Sequence, residues 1–370
     1  QHLEQARIRF GLTRFDRELS RTPEGIRMKV IPRRESSVTL SLAPAFETEL
    51  GAHLGLGADL RNPFGIPTTA QFYGAIDSLQ KRASLAVDRE IHGLPGFGYG
   101  AFMDASHQAF GRDLQTVEGP KEGWQDLELR SQGWGFGLWG RFGGDVRGIA
   151  RLSAEERRSS YTLGGIDSPR GLERTVQFSV EWDNLDYHLL PTEGSLLRLR
   201  GGRSFHVENG LEDFEFAYAR LRHLRRLPAL PFSLELDLEG ALGWNTPLAR
   251  WNILGGSGSI IGTHSAAYLV PNAAFARIGL PFTSVSFFGV GVQAVPRVDW
   301  GRFSQEPSAL SRGPRTLGLG MALRSIVRNF NVEVSFGQTQ SRGGLAPGLS
   351  RNSEFTVLLG TRPFDLWKQR

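Results

Sequence analysis

Eight histidines, a serine set between glycines and a few acid–base pairs are the residues of this 370-residue chain that invite a chemical reading. The histidines are His2, His53, His92, His107, His188, His206, His223 and His264. No two stand four apart, the spacing that puts two zinc ligands on one helix face. The chain has no cysteine, which removes thiolate-bound zinc and any disulfide framework. His188 follows Asp186 closely enough for acid–base chemistry, but the pair falls in a predicted turn and reads as solvated. Gly256-Ser257-Gly258-Ser259 is the nearest approach to a G-x-S-x-G nucleophile elbow, and it lacks the strand-to-helix setting that the elbow needs. Glu155-Glu156-Arg157-Arg158 reads as a solvated loop. Arg222, Arg225 and Arg226 stand where cations gain about 1 kcal/mol each beside anionic headgroups, or simply flank a turn. No catalytic residue, metal ligand or cofactor follows from these residues.

The elements around them read as strands. Phe232, Leu234, Leu236 and Leu238 alternate with Ser233, Glu235, Asp237 and Glu239; Val176, Phe178, Val180 and Trp182 alternate with Gln177, Ser179, Glu181 and Asp183. Leu317, Leu319, Met321 and Leu323 alternate with Gly318, Gly320, Ala322 and Arg324. A period of two with one apolar face means a strand with one side in oil and the other in water. Gly133–Gly143 alternates glycine with Trp, Phe and Leu, so it is strand and not a nucleotide loop, and its small residues let a sheet curve. Mean hydropathy is slightly negative, and no apolar run reaches the length of a membrane helix. A β-barrel needs only about 9–11 residues per crossing, every second one apolar.

The alternation predicts sixteen strands, at about 38–47, 50–61, 68–77, 82–91, 97–106, 126–142, 144–153, 172–184, 194–206, 212–224, 231–243, 272–281, 284–297, 315–326, 330–340 and 354–364. The fold class is therefore all-β, a 16-stranded antiparallel transmembrane β-barrel over residues 37–370. The sixth strand changes parity between Leu129 and Trp134, so a bulge is expected there. Connections after odd strands are long (107–125, 154–171, 244–271, 298–314, 341–353), and those after even strands are mostly short. Outer-membrane barrels have short periplasmic turns and long outer loops, which puts both chain ends in the periplasm. Acids in 232–238, and Arg198 with Arg200, should point inward and lace the lumen with ion pairs. Net charge is +5, but the arginines are spread through the strands, so nucleic acid is not an expected partner. Gln1–Arg9 lacks the apolar core of a secretory signal; the barrel reading expects a signal already removed, or a longer parent chain.

Three segments resemble the BamA/TamA-type superfamily of outer-membrane assembly and secretion barrels. Glu181–Gly194, carrying Asp183, Asp186, Pro191 and Gly194, is similar to that family's D-x-x-D…P-T-x-G hairpin between strands eight and nine. Leu254–Thr263, carrying Gly255, Gly256, Ile260, Ile261, Gly262 and Thr263, falls where the family folds a long loop back into the lumen. Phe15-Asp16 and Met28–Glu35 resemble the end of a POTRA module, which makes residues 1–36 a POTRA-like periplasmic remnant. The family's assembly factors pair a loop arginine in a V-R-G-F-like motif with a strand-thirteen aspartate in an F-x-D-x-G-like motif. Here Ile261 stands for the arginine. Strand thirteen, read as Phe287-Phe288-Gly289-Val290-Gly291, puts Gly289 in place of the aspartate, so both partners are expected to be absent and the loop held by other contacts, such as His264 or Tyr268.

That double departure, the last strand and the single POTRA-like remnant resemble the patatin-type branch, in which a lipid hydrolase domain precedes the barrel. What the resemblance implies is a pore for protein translocation or insertion. Its partners would be outer-membrane lipids including lipopolysaccharide and an unfolded or passenger polypeptide, with a weak seam between strands one and sixteen at Pro44 and Pro363. The alternatives are a patatin-like autotransporter barrel and a passive diffusion porin.

Overall fold

The computed structural model describes residues 14–361, except 23–24, 34–36, 48–50, 63–67, 78–79, 95, 111–114, 117–118, 121–126, 144–147, 164–165, 169–170, 186–190, 209–212, 255–258, 262, 264–267, 283–284, 288–289, 328–329 and 343–350. At the N-terminus Arg14–Thr22 pairs antiparallel with Gly25–Arg33.

The remainder is a closed antiparallel barrel. Its first eight strands are β1 (Ser37–Glu47), β2 (Gly51–Arg61), β3 (Thr68–Ile76), β4 (Gln80–Glu90), β5 (Phe97–Phe110), β6 (Leu127–Phe142), β7 (Gly148–Leu163) and β8 (Gly171–Asp183). They are followed by β9 (Gly194–Val207), β10 (Glu215–Arg226), β11 (Ser233–Trp244), β12 (Asn272–Gly279, resuming at Val285–Phe287), β13 (Val290–Ser304), β14 (Arg315–Val327), β15 (Phe330–Arg342) and β16 (Arg351–Thr361). The alternation becomes a two-faced wall. On β6, Trp134, Phe136 and Leu138 are 53%, 61% and 59% exposed, while Gly133, Gly135 and Gly137 face inward. Leu152, Val176, Phe178, Leu319 and Met321 continue that exposed apolar belt on β7, β8 and β14. An apolar outer face and a polar inner one are the composition of a barrel standing in hydrocarbon.

Three expectations are corrected. β6 pairs with β5 and β7 in unbroken register, so it has no bulge. Its parity inverts because the strand outruns the lipid: Glu128 and Arg130 turn outward to water, and Leu127 and Leu129 turn inward onto an apolar cluster with Phe110 and Leu269. The register shift falls instead between Arg174 and Thr175 of β8 opposite β9. Glu155–Arg158 is not loop but part of β7, whose polar upper half hides its strand character.

The third correction concerns the strand-twelve and strand-thirteen region. Phe287 belongs to the tail of β12 and pairs with Val290 at the start of β13. β12 is interrupted at Pro281, which has no N–H to give β11 although its carbonyl still accepts from Ser233. β13 runs on to Ser304 through residues that the sequence reading assigned to a loop.

β1 and β16 close the cylinder. Among the described residues their ladder has three residue pairs, Glu47 to Leu358, Phe46 to Leu359 and Ala45 to Gly360. On their other sides, β1 pairs with β2 along its whole length and β16 with β15 over Arg351–Thr361. Pro44 lies next to this seam and is exposed; Pro363 lies outside the described residues.

Candidate functional site

The described residues of the connection 245–271 between β11 and β12 enter the lumen and are seated on the inner wall at two places. The first seat is polar with an apolar rim. A single helical turn, Leu248–Arg250, presents Arg250 to the wall. Its guanidinium lies 2.5 Å from the Glu173 carboxylate of β8 and 3.6 Å from that of Glu155 on β7. Both acids are nearly fully buried. Beside it, Leu248, Trp251 and Leu269 pack on Phe110, Leu127 and Leu129. Further along, Asn252–Leu254 and Tyr268–Val270 form a small hairpin, and the Tyr268 backbone pairs with Gln115 in the connection between β5 and β6.

The second seat lies under the loop tip. Ile260 and Ile261 are 0% and 1% exposed. The Ile261 N–H donates to Asp299 of β13 at 2.8 Å, and the Ser259 carbonyl accepts from the Arg277 guanidinium of β12 at 3.0 Å. Arg277 and Arg297 in turn hold Asp299 at 3.0 and 3.1 Å. Thr263 donates its hydroxyl to the Ile260 carbonyl at 2.6 Å and closes the tip as a turn. Glycines on the wall make the room: a methyl group on Gly301 would sit 2.6 Å from the Ile260 side chain, and one on Gly318 would sit 2.5 Å from the Ile261 carbonyl. Ile260 also joins Val270, Ala273 and Phe303 in an apolar cluster.

The expectation that strand thirteen lacks an acid is therefore corrected. Asp299-Trp300-Gly301 supplies the D-x-G spacing, ten residues beyond Gly289. The loop offers backbone and isoleucine where an arginine was expected, and the cations come from the wall, as Arg277 and Arg297. Of the loop residues singled out in sequence, Ile260, Ile261 and Thr263 are at this seat; Gly255, Gly256, Gly262 and His264 lie outside the described residues. So does Gly289, while Gly291 sits at the start of β13, opposite Ser286 and away from the tip. Sequence reading missed Asp299, Arg277 and Arg250, although the Asp-x-Gly spacing was there to be found.

The inner wall is laced with ion pairs, as the inward charges predict. Arg157 of β7 joins Asp104 of β5 at 2.8 Å and Glu155 at 2.5 Å. Arg220 of β10 holds Asp237 of β11 at 2.7 Å. Arg222 is drawn inward to Glu235 at 2.8 Å, so it does not face lipid, whereas Arg225 and Arg226 are exposed.

The hairpin between β8 and β9 is built by local hydrogen bonds. Asp183 accepts the Leu185 N–H at 3.0 Å, and Asn184 and Ser195 bond across its base. Gly194 has φ +115°, and a side chain there would meet the Asn184 carbonyl at 2.5 Å. Pro191 is buried. Asp186 and His188 lie outside the described residues.

No family model matches this sequence, and no curated protein matches it. Solved structures do. BamA from Haemophilus ducreyi lacking POTRA domains 1–3 superposes with a TM-score of 0.74 over 97% of this chain and 77% of that one, at 12% identity. The fold is that of BamA. CdiB from Escherichia coli (TM-score 0.62, 14% identity, 97% of this chain and 70% of that one) shares it. So does CdiB from Acinetobacter baumannii (0.57, 12%, 95% and 66%). At these identities the likeness establishes the barrel architecture, and the strand count and the alternation reach the same architecture independently.

Proposed function

We propose that this chain is a pore of the bacterial outer membrane that translocates or inserts polypeptide, with its ends in the periplasm. In this reading the 245–271 loop is the plug, and the junction of β1 and β16 is where the wall opens. The observation that carries it is the seam, which has three residue pairs among the described residues. A ladder this short is the cheapest place to part a barrel, and parted strands expose backbone donors and acceptors that a client strand can pair with. Residues 1–36 are read as the end of a POTRA-like module that would deliver the client. The patatin-type alternative keeps one supporting observation, the absence of an arginine at Ile261. The plug speaks against a passive diffusion porin.

The test is a disulfide across the seam. Ala45 and Gly360 are directly opposed, which in an antiparallel ladder puts their Cα atoms about 4.5–5.5 Å apart, within disulfide range. The chain has no other cysteine to confuse the result. Ala45→Cys with Gly360→Cys should abolish polypeptide insertion or transport by the full-length protein when oxidised and restore it on reduction. Full activity in the oxidised form would refute the seam.

A further inference from the structure

The outer surface of β4–β7 departs from the simple apolar belt, at the end of the barrel where the longer connections lie. Three cross-strand rows are stacked there. The lowest is tall and apolar at one side, Leu85 beside Met103 beside Trp134, and it ends on Glu156, which holds Arg174 at 2.9 Å. The middle row begins with two alanines, Ala83 opposite Ala105, and continues through Gln132 to Arg158. The top row sets Lys81 opposite His107 opposite Arg130, with Glu128 at 3.2 Å from His107 and 2.8 Å from Arg130. Two alanines between taller neighbours leave a notch, part of a groove of about 540 Å³ lined by Leu85, Met103, Trp134 and Arg158.

This face carries four cations, Lys81, Arg130, Arg158 and Arg174, against two carboxylates, Glu128 and Glu156. Glu128 engages Arg130 at 2.8 Å. Arg158 and Lys81 are exposed, and no ion pair engages either among the described residues. They stand three strand spacings and one row apart, roughly 16 Å, too far for one phosphate to bridge and suited to a headgroup with two. The outward row just below the three stacked rows, Val87, Ala101, Phe136 and Ala154, is apolar.

We propose that this groove binds a bis-phosphorylated, multiply acylated glycolipid of the lipid A class. One acyl chain would lie in the alanine notch against Trp134, and the two phosphates would sit on Arg158 and on Lys81 with Arg130. The proposal rests on the membrane-barrel reading, with the longer connections facing outward. An apolar slot beneath separated cations matches such a lipid in both shape and charge.

The test uses the full chain in phosphatidylcholine nanodiscs, with lipid binding read by native mass spectrometry. The probes are hexa-acyl bis-phosphorylated lipid A, its dephosphorylated form and phosphatidylglycerol. Wild type should bind lipid A about ten-fold more tightly than either other probe, and Lys81→Glu with Arg158→Glu should remove that preference. Ala105→Leu fills the notch without touching a charge and should weaken lipid A binding by about five-fold, the worth of about one buried methylene of lost fit. Heat-modifiable gel migration checks that each variant is folded, and Arg158→Gln replaces any that is not. Equal binding of phosphatidylglycerol and lipid A, or unchanged binding by the folded variants, would overturn the proposal. A wild-type chain that fails to insert into bilayers would instead defeat the barrel reading, a separate outcome.

Discussion

Asp299 of β13 and Ile261 of the lumen loop are joined by a 2.8 Å hydrogen bond from backbone N–H to carboxylate. The same carboxylate neutralises Arg277 and Arg297. One acid therefore fixes the loop tip and settles two buried guanidinium groups. Asp299→Ala should cost about 3 kcal/mol, because breaking a buried pair strands its partners. Urea unfolding of the bilayer-inserted protein reads that loss, and faster maleimide labelling of Ser259→Cys in the same background reads release of the tip.

The isoleucine tip needs glycine opposite it. Gly318→Val should unseat Ile261, since a methyl group at that position already crowds its carbonyl. Labelling at position 259 should rise as it does for Asp299→Ala. Leu319→Val, one residue away on the exposed face, should leave labelling unchanged.

Depth on the outer face decides what a charge costs. Leu138→Arg, in the exposed apolar belt, should destabilise the barrel by about 2–4 kcal/mol. Gln132→Arg, in the row where the wall leaves the lipid, should cost about 1 kcal/mol or less. Equilibrium unfolding from vesicles measures both, and equal penalties would contradict the placement of the belt.

Gly194 is the residue of the hairpin between β8 and β9 that tolerates least. Its φ of +115° and the Asn184 carbonyl beside it leave no place for a side chain. Gly194→Ala should cost about 1–3 kcal/mol and slow barrel folding on gels. Glu193→Ala, at an exposed position next to it, should not.

The barrel was legible in the sequence wherever the wall crosses lipid, because there a two-residue rhythm of oil and water is imposed on every strand. Val176–Trp182 and Leu317–Leu323 show it plainly. The rhythm fails where the wall rises clear of lipid. Arg157 and Glu155 point at each other inside β7, Glu156 and Arg158 point outward, and the segment reads as loop. Leu127 and Leu129 keep an apolar rhythm but on the opposite face, because Leu269 of the plug is their solvent. Asp299 was hidden by the same effect. Asp299 and Phe303 look like loop residues until the lumen segment that they face is known, and the adjacent Phe287 and Phe288 break the alternation where β12 ends. The hairpin near Gly194 was legible from its family-like motif, whereas the contact between Arg250 and Glu173, 77 positions apart, has no local signature at all.

Single-channel conductance in planar bilayers tests the plug most directly, comparing wild type with the double variant Arg250→Ala, Asp299→Ala. Loss of both anchors should turn small, flickering openings into a larger and sustained conductance. A wild-type channel that is already wide and steady, and unchanged in the double variant, would contradict a lumen closed by the 245–271 loop.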